Sequence, residues 1–223
     1  MARITITAVR LATARLAVMG LAVATLSACA KDNQFDETGG VRITRSACPA
    51  LAVPAYTGDI TLFDPPASRE ARAIDVVANL TDLRANCNDA GEQIVSQATF
   101  AVQARRTNTA AARDVTLPFF ATVVRGGSVI VSKQVGRVAL HFDAGQARAT
   151  ATATATTGIT RAAATLPPEI ETQLTRKRKP TDADASIDPM ADPATRAAVA
   201  KASFEMLIGF QLSNEQLAYN VTR

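Results

Sequence analysis

The 223-residue sequence predicts a mainly β fold: an antiparallel β-sandwich, Ig-like or related, with a short, partly helical C-terminal extension. Three observations carry that prediction. Several segments alternate apolar and polar residues with the period of two that a half-buried strand shows. A Gly126-Gly127 pair separates two such runs and supplies the positive φ angles that a tight hairpin needs. Helical spacing is confined to the stretch beyond Leu166-Pro167-Pro168.

Taken in order, Cys48-Pro49 opens an extended segment with Leu51 and Val53 facing inward, and Gly58-Asp59 turns the chain into Ile60–Phe63. Asp64-Pro65-Pro66 stops that strand. Ile74 to Leu83 places Ile74, Val76, Ala78 and Leu80 on one face. In Gln93 to Arg105, Ile94, Ala98, Phe100, Val102 and Ala104 share one parity and glutamines hold the other. Val115 to Val124 repeats the pattern, and the Gly-Gly turn leads into Ser128–Val131. Strands at Gly136–Phe142 and Ala147–Thr157 follow, joined by Asp143-Ala144-Gly145.

The last of these strands alternates Thr150, Thr152, Thr154 and Thr156 with alanines, so one face is a hydroxyl ladder and the other admits a close second layer. A threonine ladder is able to match a polysaccharide surface, but a binding array needs several such strands side by side, and one solvated strand is the plainer reading. Glu169 to Thr175 predicts a short helix, and Asp192-Pro193 an N-cap opening a helix through Arg196, Val199, Ala202 and Met206. Alternation from Phe204 to Leu212 turns that helix into a strand near Gly209. Ser213 and Gln216 match a capping box that starts a terminal helix with Leu217 and Tyr219.

The N-terminal part reads as an address. Arg3, Arg10 and Arg15 precede the uncharged apolar run Leu16 to Leu26, which is shorter than the roughly 20 residues a bilayer-spanning helix needs. The run closes on Leu26-Ser27-Ala28-Cys29. That tetrapeptide resembles the lipobox of bacterial lipoproteins, and the layout resembles that of small alphaproteobacterial envelope lipoproteins. The resemblance implies cleavage before Cys29, lipidation of Cys29 and anchoring to a membrane through that lipid. With Ala30 after the cysteine it implies the periplasmic face of the outer membrane. The alternatives are an uncleaved N-terminal membrane helix, which wants a longer apolar run, and ordinary secretory cleavage, which leaves Cys29 as a free thiol. On this reading residues 1–28 are a signal peptide, 29–46 a flexible tether, 47–165 the β-sandwich domain and 166–223 a loop and C-terminal segment packing on it. With Cys29 acylated, Cys48 and Cys87 remain, and an exported chain joins such a pair in a disulfide.

Charge and chemistry exclude more than they assign. The sequence has 24 Lys and Arg against 20 Asp and Glu, and setting aside the three arginines of residues 1–28 leaves 21 against 20. That balance gives no reason to expect nucleic acid as a partner. The single histidine, His141, lies mid-strand, no Gly-x-Ser-x-Gly elbow accompanies it, and no phosphate loop or dinucleotide fingerprint is present. No catalytic residues, metal ligands or cofactors are therefore expected. Asp182, Asp184 and Asp188 begin like a calcium loop but fail at Ile187 and Pro193. Arg176, Lys177, Arg178 and Lys179 form a basic cluster that either contacts an anionic surface or is a solvated loop end balanced by those acids. Phe210, Leu212 and Tyr219 either present a docking surface or tie the terminus onto the protein's own sheet. Two functions fit these features. One is a structural or accessory protein docking on a larger envelope assembly, through an exposed apolar patch or sheet edge. The other is a ligand-binding protein for a lipid, glycan or small molecule.

Overall fold

The structure, a computed structural model, describes residues 46–176, 178–179 and 181–223. Residues 46–176 and 187–223 belong to the main unit, and the described residues from 178 to 186 to a second. The signal segment, Cys29, the tether up to Arg45 and Lys177 lie outside the described residues.

The fold is mixed α/β with strands dominant. β1 (Ala50–Ala52), β8 (Phe204–Phe210), β5 (Arg113–Arg125) and β6 (Val129–Phe142) make one four-stranded sheet in that order. β2 (Asp59–Phe63), β3 (Ile74–Asn88), β4 (Gln93–Arg106) and β7 (Arg148–Thr160) make the other. Among the described residues four α-helices follow β7: α1 (Arg161–Ala164), α2 (Pro168–Thr175), α3 (Pro193–Lys201) and α4 (Asn214–Thr222).

The inner faces of the two sheets share one core. Val76, Ala98, Phe100 and Val102 meet Leu117, Phe119, Leu140, Phe142, Met206 and Ile208. Each large side chain removed from water there contributes about 1.5–3 kcal/mol. Phe100 and Phe119 meet edge to face across the sheets, 5.0 Å between ring centres. Gly136 lies opposite Phe119 on β6, and a Cβ there would overlap the Phe119 ring. A second cluster, Ile94, Val123, Ile159, Ala164 and Phe204, fills the end of the molecule where β7 runs into α1.

Three features depart from the sequence reading. The ladder between β1 and β8 is parallel, whereas every other ladder is antiparallel among the described residues. α3 ends at Lys201 and the chain is already a strand at Phe204, because Phe204, Met206, Ile208 and Phe210 all reach the core by pairing with β5. The segment beyond residue 166 thus supplies an internal strand of the first sheet as well as helices. β6 is one continuous strand from Val129 to Phe142 rather than two, since Gly136 is held in the ladder opposite Phe119.

Two ties close the fold. The Cys48–Cys87 disulfide joins the residue two places before β1 to the end of β3, linking the two sheets. α4 starts with the Ser213–Gln216 capping box and is anchored by Asn220, whose buried Nδ2 donates to the carbonyls of Tyr56 and Asp59, both at 2.8 Å. Tyr219 packs edge-on against Phe63 at 5.1 Å, and Arg69 pairs with Glu215 at 2.9 Å.

Replacing both cysteines by serine is expected to lower unfolding free energy by about 4 kcal/mol, the chain-entropy value for a loop of this size, read from urea melts of the oxidised and variant proteins. Asn220→Ala leaves two carbonyls without their donor. It is expected to cost about 1–3 kcal/mol in the same measurement and to raise hydrogen exchange in α4.

Candidate functional site

The β5–β6 hairpin holds the most exposed apolar surface. Gly126 (φ 61°) and Gly127 (φ 76°) both occupy the left-handed region, where glycine carries no Cβ penalty, and the turn returns the chain as β6 at the sheet edge. The Gly126 amide donates to the Ser203 carbonyl at 3.0 Å, which fixes the turn against the end of α3. A bulge follows: Val123 pairs with Ser132 and Val124 with Ile130, leaving Val131 as the extra residue.

Along this edge Val129, Ile130, Val131 and Val135 are 50, 65, 52 and 60 % exposed. Among the described residues β6 has β5 on one side and no strand on the other, so one side of its backbone is unpaired there. Lys133 stands over the Phe120 ring, its Nζ 5.4 Å from the centre, which places both on the outer face of the sheet. From Val115 to Phe142 the hairpin contains Arg125, Lys133 and Arg137 and no acidic residue.

Near the far end of β6, His141 faces its cross-strand partner Asp114, with Nδ1 2.6 Å from Oδ1, while Nε2 lies 3.4 Å from Asp143 Oδ1. The hydrogen bond and charge of Asp114, with a smaller effect from Asp143, raise the imidazole pKa above its ordinary value. A carboxylate occupies each side of the ring, so the nitrogen that would have to activate a hydroxyl nucleophile already faces Asp143. Among the described residues no group of three or more His, Cys, Asp and Glu side chains is placed to hold a metal ion.

The residues singled out from the sequence are dispersed. Phe210 is fully buried in the core and Leu212 packs against it, while Tyr219 is half-buried on Phe63. Phe210 therefore offers no surface to a partner, and docking through it is withdrawn. These side chains secure the C-terminal strand and helix to the protein itself. Of the basic cluster, Arg176 caps α2, and Arg178 lies 3.6 Å from Asp184. The Lys179 amide donates to Asp182 at 3.0 Å, so the acids that follow the cluster fold back toward it. The threonines of β7 point outward on an edge strand whose neighbour β4 sets Gln97, Thr99 and Gln103 opposite them. The exposure of β6 had one trace in the sequence, the absence of acids between Asp114 and Asp143. The run Val129-Ile130-Val131 by itself reads the same in a buried strand.

The raised His141 pKa sets a sign. The protonated form gains more in the folded chain, so its contribution to stability is present at low pH and fades as pH rises through the folded-state value. In an NMR titration the His141 midpoint is expected to lie above that of the unfolded chain, and Asp114→Asn to bring it down. An unchanged midpoint in that variant would remove the pair as the cause.

No family model, curated protein or solved structure matches this chain. The lipoprotein reading is corrected on its cysteine chemistry. The cysteine chemistry that the structure holds is an internal Cys48–Cys87 disulfide rather than an anchor, and Cys29 lies outside the described residues. The lipoprotein assignment, the lipid-mediated membrane contact and the outer-membrane, periplasmic location inferred from it are withdrawn.

Proposed function

We propose that this protein is an accessory binding module that docks on a larger assembly by accepting an extended segment of a partner along the free edge of β6. The observation that carries this reading is the exposure of Val129, Ile130, Val131 and Val135 on a strand whose outer backbone is unpaired. An added strand satisfies those backbone groups and covers alternate apolar side chains. The two-sheet arrangement behind that edge is read as a sandwich related to the Ig-like class, from which the parallel β1–β8 ladder departs.

Charge selects the occupant. With Lys133 and Arg137 on the strand and Arg125 at its turn, a complementary segment alternates apolar and acidic residues. A second copy of the same edge fits less well, because pairing about Lys133 sets like charges opposite one another, which is unfavourable. Lys133 and Arg137 also discourage that self-association, as edge-strand cations do in other sheets.

The test uses the full chain and a synthetic heptapeptide of alternating valine and glutamate, with the valine–lysine peptide as control. The acidic peptide is expected to bind one to one and to protect amides of residues 129–137 from exchange. The basic peptide is expected to bind at least about tenfold more weakly, and Val131→Glu, which sets an acid on the exposed edge, to weaken acidic-peptide binding by a similar factor. Equal binding of both peptides, protection elsewhere, or a dimer formed through β6 would overturn the reading.

A further inference from the structure

A cleft of about 1070 Å³ lies far from the His141 end of β6, where β7 runs into α1 and both meet the end of α3. Its wall is mainly apolar, with Ala163 and Leu166 among the residues that form it, and three cations border it: Arg125, Arg161 and Lys201. They come from three separate elements, the last residue of β5, the first of α1 and the last of α3. Glu92 is the one acid in the wall.

Two of the three cations have a local role. Arg161 donates from Nε to the Gly91 carbonyl at 2.7 Å, which fixes the root of its guanidinium and leaves the other N–H groups of that fork to be satisfied. Lys201 sits in the last turn of α3, where a positive charge suits the helix dipole. Arg125 has neither explanation: it is half-buried and, among the described residues, no side-chain hydrogen bond or ion pair holds it. An arginine kept at the mouth of an apolar cleft, beside two further cations and a single acid, has an anion as its natural complement.

We propose that this cleft binds an amphiphilic carboxylate, its acid head between Arg125, Arg161 and Lys201 and its apolar body along Ala163 and Leu166. A bare inorganic anion leaves the apolar wall uncovered, and a neutral apolar molecule leaves the cations without a partner. The size of the cleft suits a ligand of small-molecule dimensions. This site shares Arg125 with the turn of the β6 hairpin, but its apolar wall and its other two cations lie outside β6, and its test reads dodecanoate rather than a peptide, so the two readings fail separately.

Calorimetric titration of the full chain with dodecanoate, dodecanol and inorganic phosphate separates the contributions. Dodecanoate, kept below its micelle concentration, is expected to bind saturably at one site. Dodecanol and phosphate are each expected to bind at least about tenfold more weakly, and Arg125→Gln with Lys201→Gln to cost dodecanoate about tenfold or more at an unchanged melting temperature. Absence of saturable dodecanoate binding, dodecanol or phosphate binding as tightly as dodecanoate, or an unaffected variant would overturn the proposal. Should the variant fail to fold, amide shift mapping of dodecanoate on the unaltered chain decides: perturbation centred on Arg125, Arg161 and Lys201 supports the site, and perturbation elsewhere rejects it.

Discussion

A buried arginine holds one end of this molecule together. Arg106, the last residue of β4, is 3 % exposed, and its guanidinium donates to the carbonyls of Ala111, Asp143 and Gln146 at 2.7, 2.8 and 2.9 Å, with a longer bond to Thr109. Its face lies over the Phe142 ring at 5.1 Å. Removing a charge from water is costly unless the protein replaces the lost hydrogen bonds, and here backbone carbonyls do so. Arginine does not escape by losing its proton, so the loops that supply those carbonyls must stay where they are. The β4–β5 loop and the β6–β7 turn are thereby fixed to one point, and each joins a strand of one sheet to a strand of the other.

Further contacts gather at the same end. Arg113 at the start of β5 makes a two-pronged pair with Asp75 at the start of β3, at 2.8 and 2.7 Å, and Gly145 donates to the Thr109 carbonyl. The disulfide sits at the opposite end of the second sheet, since Cys87 pairs with Ser96 near the start of β4 while Arg106 pairs with Val76. The two sheets are thus clamped near both ends by chemically different means. At the Arg106 end hydrogen bonds close the loops over the core. At the other end a smaller apolar cluster, the disulfide and the short helix α1 leave space for the cleft, and there β6 begins with its apolar side chains in solvent.

What the sequence reveals and what it hides follow from how local each determinant is. The Gly126-Gly127 turn, the Ser213–Gln216 capping box and the inward alanines of β7 are decided within a few residues, and each is readable as such. The place of β8 is not local. Phe204 to Phe210 alternates like a strand, but only its partners, β5 on one side and β1 on the other, make it internal and bury Phe210. Arg106 shares a parity with Phe100, Val102 and Ala104, and a charged residue there reads as a solvated strand end until the carbonyls that surround it are known. Burial of a residue and exposure of an edge are both set by strand order, which residue periodicity does not encode.

Charge follows the same division between the two ends. Asp114 and Asp143 bracket the acid-free hairpin in sequence, and both are directed at His141, close to the Arg106 end. Lys133 lies eight residues from His141 on the same extended strand, which at the rise of a β-strand is about 27 Å. That separation is several times the screening length of about 8 Å at physiological ionic strength, so those two acids do little to offset Lys133 or the more distant Arg125. The half of the hairpin that carries the exposed apolar side chains is therefore also the half with cations and no acid of its own. On the docking reading proposed above, the residues that disfavour pairing with a second copy of this edge are the same ones that favour an acidic segment.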